Sequence, residues 1–185
     1  MFFSLHELEL RKIDFAETYA PGQIELIEDV EQTSPLTSKG HAELLEEHHG
    51  GKQVVKDIRV IGEFATRAEL KCARCLEAVP LELANKFDLL YRPLKVQAKG
   101  GSDEVEISEA DTEIGFYKGE GLALEDVLKE QVLLAVPAKA LCQESCKGLC
   151  PHCGQNRNLG DCSCTEKRTD PRWEALAAVK EKLKP

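Results

Sequence analysis

The chain has 185 residues, 42% apolar and 31% charged, the composition of a globular protein with one core of ordinary size. Its formal charge of -9 argues against nonspecific coating of nucleic acid. With neither a basic leader before an apolar stretch nor a run of about eighteen apolar residues, secretion by signal peptide and membrane spanning are not expected. The charge is uneven, since residues 1–51 and 101–130 together carry -16 and everything else sums to +7.

Met1 to Leu10 reads as a strand of weak alternation. Pro21 and Gly22 then mark a turn before the apolar patch Ile24 to Ile27, and Leu36 to Glu47 reads as extended, closing in the loop signal HHGGK. From Ile58 to Cys72 the period is two: Ile58, Val60, Phe64, Ala68, Leu70 and Cys72 share one parity, and Arg59, Glu63, Arg67, Glu69 and Lys71 the other. Past Cys75 the alternation resumes on odd positions with Val79, Leu81, Leu83, Phe87, Leu89 and Tyr91, which predicts a long antiparallel hairpin tipped by CARC. Lys99 to Glu113, polar and acidic, reads as a loop. Leu124, Val127, Leu128, Val132 and Ala135 recur at helical spacing, with Glu125 and Asp126 in the first turn and Pro137 as the stop, so a helix closes the body near 121–136. A last helix is expected from Asp170 as cap and Pro171 as first residue, with Trp173, Leu176, Ala177, Val179 and Leu183 on its apolar side. The fold class is therefore α+β. An antiparallel or barrel-like β body occupies residues 1–135, and a cysteine-rich module with a C-terminal helix occupies 136–185.

Eight cysteines without a signal peptide suggest metal rather than disulfides in a reducing cytoplasm. In Cys150-Pro-His-Cys153-Gly, two thiolates grip one ion from a tight turn and the glycine frees the backbone to aim amides at the sulfurs; Cys162 and Cys164 return eight residues later. The preferred partition places Cys150, Cys153, Cys162 and Cys164 on one zinc, and Cys72, Cys75, Cys142 and Cys146 on a second that clips the hairpin tip to the C-terminal segment. A single C-terminal zinc with spare thiols remains the alternative, so one or two structural zincs are expected per chain. Cys146, Cys150 and Cys153 also have the CxxxCxxC spacing of cluster-binding radical enzymes, but too little chain follows for their barrel. CARC lies between strands, where a redox pair needs a helix N-terminus. The five histidines show no ligand spacing beyond the neighbours His48 and His49, which read as solvated loop, and no phosphate loop or nucleophile elbow is present. No catalysis and no small-molecule substrate are expected.

CxRCL at Cys72 to Leu76, LYRP at Leu90 to Pro93, an acidic loop, LLAVPAKALC, CKGLCPHCGQNRN, a CSC pair and DPRW follow one another in an order that resembles the YceD family of large ribosomal RNA accumulation proteins. Arg157 stands where the usual pattern has Leu, which leaves the ligand cysteines intact but alters the loop surface. The resemblance implies a non-enzymatic cytoplasmic factor that supports synthesis, processing or stability of the large-subunit ribosomal RNA. Two routes are open. In one, Arg59, Arg67, Lys71 and Arg74 contact precursor RNA; in the other, the acidic segments, including Asp103, Glu104 and Glu106, meet a ribosomal or processing protein. A zinc-stabilised adaptor unrelated to RNA, or a redox or iron–sulfur protein, are the competing readings.

Overall fold

A hairpin of two long strands organises the molecule. The computed structural model describes residues 1–49, 53–94 and 114–164, of which His48, His49 and Gln53 by backbone alone. Strand β5 (Gln53–Lys71) pairs antiparallel with β6 (Ala78–Pro93), in register from Ile58 opposite Tyr91 to Lys71 opposite Ala78. That register explains the change of parity across CARC. Even positions on β5 and odd positions on β6 share one face, and Ile58, Val60, Phe64 and Ala68 are buried there with Leu83, Phe87 and Tyr91.

Strand β4 (Leu36–His49) pairs with β5 on its other side, and β2 (Ile13–Tyr19) pairs with β4. Beyond the first residues of β4, the short β3 (Val30–Gln32) takes its place beside β5, with Val30 opposite Leu70. Strand β7 (Ile114–Tyr117) runs parallel to β6, giving the order β2-β4-β5-β6-β7. A separate pair joins β1 (Phe2–Ser4) to β8 (Gly121–Ala123). Helix α2 (Leu124–Ala135) buries Leu124, Val127, Leu128 and Val132 against the core, the stripe its spacing dictates.

Several expectations change. The sheet is mixed and open among the described residues, not barrel-like, because β2 and β7 lie at its two ends and β7 is parallel to its neighbour. Leu5–Leu10 is a helix, α1, where a strand was expected: the Ser4 hydroxyl accepts from the Glu7 N–H at 3.3 Å, and a local cap outweighs weak alternation. The closing helix starts at Leu124, since Gly121–Ala123 are used in β8. His48 and His49 have strand backbone at the end of β4, not loop. The acidic stretch at 99–113 and the helix expected from Asp170 lie outside the described residues.

Gly40 and Gly62 face each other across β4 and β5. A Cβ on Gly40 would lie 2.1 Å from the Ile61 carbonyl oxygen and 2.8 Å from Phe15 Cζ, and one on Gly62 would lie 2.9 Å from Phe87 Cζ. Two rings thus cover a backbone stripped of side chains, and the sheet is tied together at its centre. Gly40→Ala is expected to cost about 3 kcal/mol through this overpacking, read as a lower urea midpoint with unchanged slope.

Candidate metal centres

The hairpin tip forms a ligand turn for local reasons. The Cys72 N–H donates to the Glu77 carbonyl at 2.8 Å and the Leu76 N–H to the Cys72 carbonyl at 3.0 Å. Leu76 takes a φ of 63, the left-handed conformation that normally selects glycine, and its side chain stays exposed. The chain returning from α2 docks on this turn. Ala73 N–H donates to the Ala140 carbonyl (2.9 Å), Leu149 N–H to the Arg74 carbonyl (3.0 Å), and the Arg74 guanidinium to the carbonyls of Cys146 (2.8 Å) and Glu144 (3.3 Å). Gly148, with a φ of 71, is required here because a Cβ would press to 2.9 Å from the Arg74 carbonyl oxygen.

These contacts bring Cys72, Cys75, Cys142 and Cys146 together, with all four sulfurs within 4.8 Å of one another. Cys72 and Cys146 lie 3.8 Å apart and Cys75 and Cys142 3.5 Å apart. A tetrahedral ion with metal–sulfur bonds of about 2.3 Å needs sulfur separations of about 3.8 Å, so the set fits one ion; a disulfide would need about 2.05 Å. Cys72, Cys75 and Cys146 are buried with Val79 and Ala140 in a small apolar cluster of their own.

The second set, Cys150, Cys153, Cys162 and Cys164, meets the same 4.8 Å limit but is more open: Cys150 is buried, Cys162 half-buried, Cys153 and Cys164 exposed. Its turn is closed by Cys150 N–H to the Gln155 carbonyl (2.8 Å) and Gly154 N–H to the Cys150 carbonyl (2.9 Å), with Gly154 at a φ of 74. Asn158, from the loop between Cys153 and Cys162, contacts the first set. Its amide donates to Cys146 Sγ at 3.2 Å while its oxygen accepts from the Lys147 N–H at 2.8 Å.

Electrostatically both sets are prepared for a cation. Backbone N–H groups of Cys142, Arg74 and Cys75 pull the Cys72 thiol down to about 6, and those of Cys153 and His152, with the Cys162 thiol, do the same for Cys150, also about 6. The Asn158 amide lowers Cys146. Crowding acts the other way. The Cys75 thiol pushes Cys142 up to about 12, the Cys153 thiol pushes Cys164 up to about 12, and Cys75 rises although the Glu77 N–H opposes it, because burial and neighbouring thiols outweigh that bond. Four sulfurs cannot all ionise side by side without a positive ion between them.

The basic residues of the hairpin are placed differently. Arg59 forks onto Asp88 (2.8 and 2.7 Å) with Glu43 at 3.6 Å, Arg67 pairs with Glu82 at 3.1 Å, and Arg74 holds the backbone of the cysteine segment. Lys71 is exposed at the end of β5. Sequence reasoning missed Asn158 as a contact to sulfur; the QNRN string after the glycine was its only trace. It also missed Asp57, buried beneath Arg92, for which the signal was a carboxylate beside the apolar run from Ile58.

A profile described as "Large ribosomal RNA subunit accumulation protein YceD" matches residues 60–180, and the chain belongs to the YceD family. A Mycobacterium tuberculosis protein described as uncharacterized is 29% identical over 128 residues, 69% of this chain and 58% of its own length. The chloroplastic "Large ribosomal RNA subunit accumulation protein YCED homolog 1" of Arabidopsis thaliana is 25% identical over 153 residues, covering 69% of this chain and 46% of its own. The matches thus span about half the length of these curated relatives. No solved structure matches the chain.

Proposed function

We propose that the protein supports accumulation of the large ribosomal RNA as a zinc-stabilised cytoplasmic adaptor, engaging a basic ribosomal or processing protein and catalysing nothing itself. Family membership supplies the process. Zinc suits a closed set of four thiolates, being redox-inert and content with tetrahedral sulfur. All eight thiols, the strongest nucleophiles present, fall into the two ligand sets, so their chemistry serves the fold.

The observation that favours an adaptor over direct RNA contact is that three of the four basic residues of the hairpin are engaged within the molecule. Of Arg59, Arg67, Lys71 and Arg74, the first two are matched by carboxylates and the last by carbonyls. Four thiolates around Zn²⁺ carry two net negative charges, so loading both sites deepens a charge already at -9. Among the described strand positions that share the Arg59 and Arg67 face, β2, β4, β5 and β6 hold no Phe, Tyr or Trp, and Phe116 on β7, opposite Arg92, is a single exposed ring rather than the set of rings on which successive bases stack. A surface of this kind attracts basic proteins and repels phosphate.

A nuclease-treated pull-down of the full chain from cells is the test. Retention of a basic protein after RNA digestion is expected, unchanged by Arg67→Gln with Lys71→Gln. Loss of the partner on digestion, or steeply salt-dependent RNA binding abolished by that double change, would move the function to direct RNA contact. In cells, deletion is expected to lower the ratio of large to small ribosomal RNA; an unchanged ratio would remove the process itself.

A further inference from the structure

Beside β3 the surface opens into a groove of about 450 Å³, walled by Ile24, Leu26 and Val30 and rimmed by Glu25 and Glu31. Ile27, in the same loop, is 52% exposed. From Ile13 to Ser38 the chain has six acids and no Lys, Arg or His.

The neighbouring strands show why this charge is unusual. Along the outward face of β5, Lys39 and Lys86 flank Glu63, Glu43 and Asp88 flank Arg59, and Arg67 meets Glu82. At β3 the alternation fails, because Glu31 lies directly opposite Glu69. Like charges facing each other across an antiparallel pair destabilise it, and among the described residues no cation within ion-pair distance answers either carboxylate. The rim is complementary to a cation and the walls to an apolar side chain.

We infer that this groove receives a short basic peptide segment of the protein partner, with a Lys or Arg between Glu31 and Glu69 and an apolar residue against Leu26 and Ile27. The inference rests on the adaptor reading above and names the surface that reading needs. Nucleic acid is disfavoured, because phosphate would face the same carboxylates.

The experiment uses the full chain and a fluorescein-labelled nonapeptide alternating Lys or Arg with Leu, against a control with Glu at every basic position, followed by anisotropy at low salt. The basic peptide is expected to bind and the control not to. Glu25→Gln with Glu31→Gln should weaken binding about tenfold, the sum of two exposed charge contacts. Glu31→Lys, which sets a cation opposite Glu69, should abolish peptide binding and raise the melting midpoint. Equal binding of the control, unchanged affinity in the Gln variant, or a lower midpoint for Glu31→Lys would overturn the proposal. If the Gln variant still retains the partner in the nuclease-treated pull-down, the groove assignment fails while the adaptor reading stands. If the wild-type chain retains no protein there, both fail.

Discussion

Replacing Cys72 by serine is expected to empty the inner metal site and to release the whole segment from Ala140 to Asn158. Cys72 is fully buried, its sulfur meets Cys146 at 3.8 Å, and it accepts the Cys142 N–H at 3.4 Å, so it joins the hairpin tip to the returning chain at the centre of the set. Structural zinc in small modules contributes roughly 10–16 kcal/mol of apparent binding free energy near neutral pH, and a serine hydroxyl is a poor substitute ligand. Elemental analysis should therefore fall from two zinc per chain to one or none, with amide exchange accelerated at Leu149 and Cys150 while the β5–β6 ladder stays protected. Cys164→Ser, at the exposed set, should lose one ion and leave the inner one. A Cys72→Ser protein that keeps two ions, or visible absorbance and iron in the wild type, would contradict the structural-zinc reading.

The pH dependence has a definite sign. In the metal-free protein Cys142 and Cys164, both near 12, hold protons at pH 7, while Cys72 and Cys150, both near 6, are mostly ionised. Loading at pH 7 must then expel at least one proton per site, and affinity rises with pH by about tenfold per unit for each proton displaced. Below about 6 the thiols of Cys72 and Cys150 add theirs, so the loss of metal on acidification should steepen there. Calorimetry in buffers of different ionisation enthalpy counts those protons, and an uptake of protons on metal binding would reverse the scheme.

Much of this architecture was legible because period and punctuation agree. Alternation from Ile58 to Tyr91 reads as strands, the reset of parity at CARC reads as a tip, and Pro137 ends α2 as a helix stop should. The partition of eight cysteines into two sets was also within reach, since a hairpin tip that carries two ligands needs two more from elsewhere. What spacing did not convey was partnership across the sheet. Arg59 and Arg67 look like a free basic stripe along β5 until the register places Asp88 and Glu82 beside them. Charge read along one strand says little about charge on a face, because the neighbours come from strands β4 and β6. The parallel β7 was illegible for a related reason: its four residues pair with β6 only through a connection that period cannot trace.

The LYRP string has a structural use that yields the second large effect. Asp57 is 3% exposed, one step beyond the Ile58–Tyr91 pair, and Arg92 reaches it with Nε at 3.2 Å from one carboxylate oxygen and Nη2 at 2.7 Å from the other. Nη2 also contacts Glu47 at 2.6 Å, and the Tyr117 hydroxyl donates to the Lys56 carbonyl at 2.7 Å beside the pair. The motif therefore closes the far end of the hairpin, as the inner cysteines close its tip. Removing one member leaves a buried charge without compensation, so Arg92→Ala is expected to cost about 3–5 kcal/mol, whereas Glu47→Ala, at the exposed side, should cost less than about 1. The decisive comparison is the double change Asp57→Leu with Arg92→Met, in which both charges leave together. Paired burial of charge recovers little beyond its own desolvation, so the double variant should be more stable than Arg92→Ala alone in urea titration. If it is instead as unstable as the two single changes added together, the forked geometry itself holds β5 to β6 at this end, and the LYRP arginine is required for its hydrogen bonds rather than for balancing Asp57.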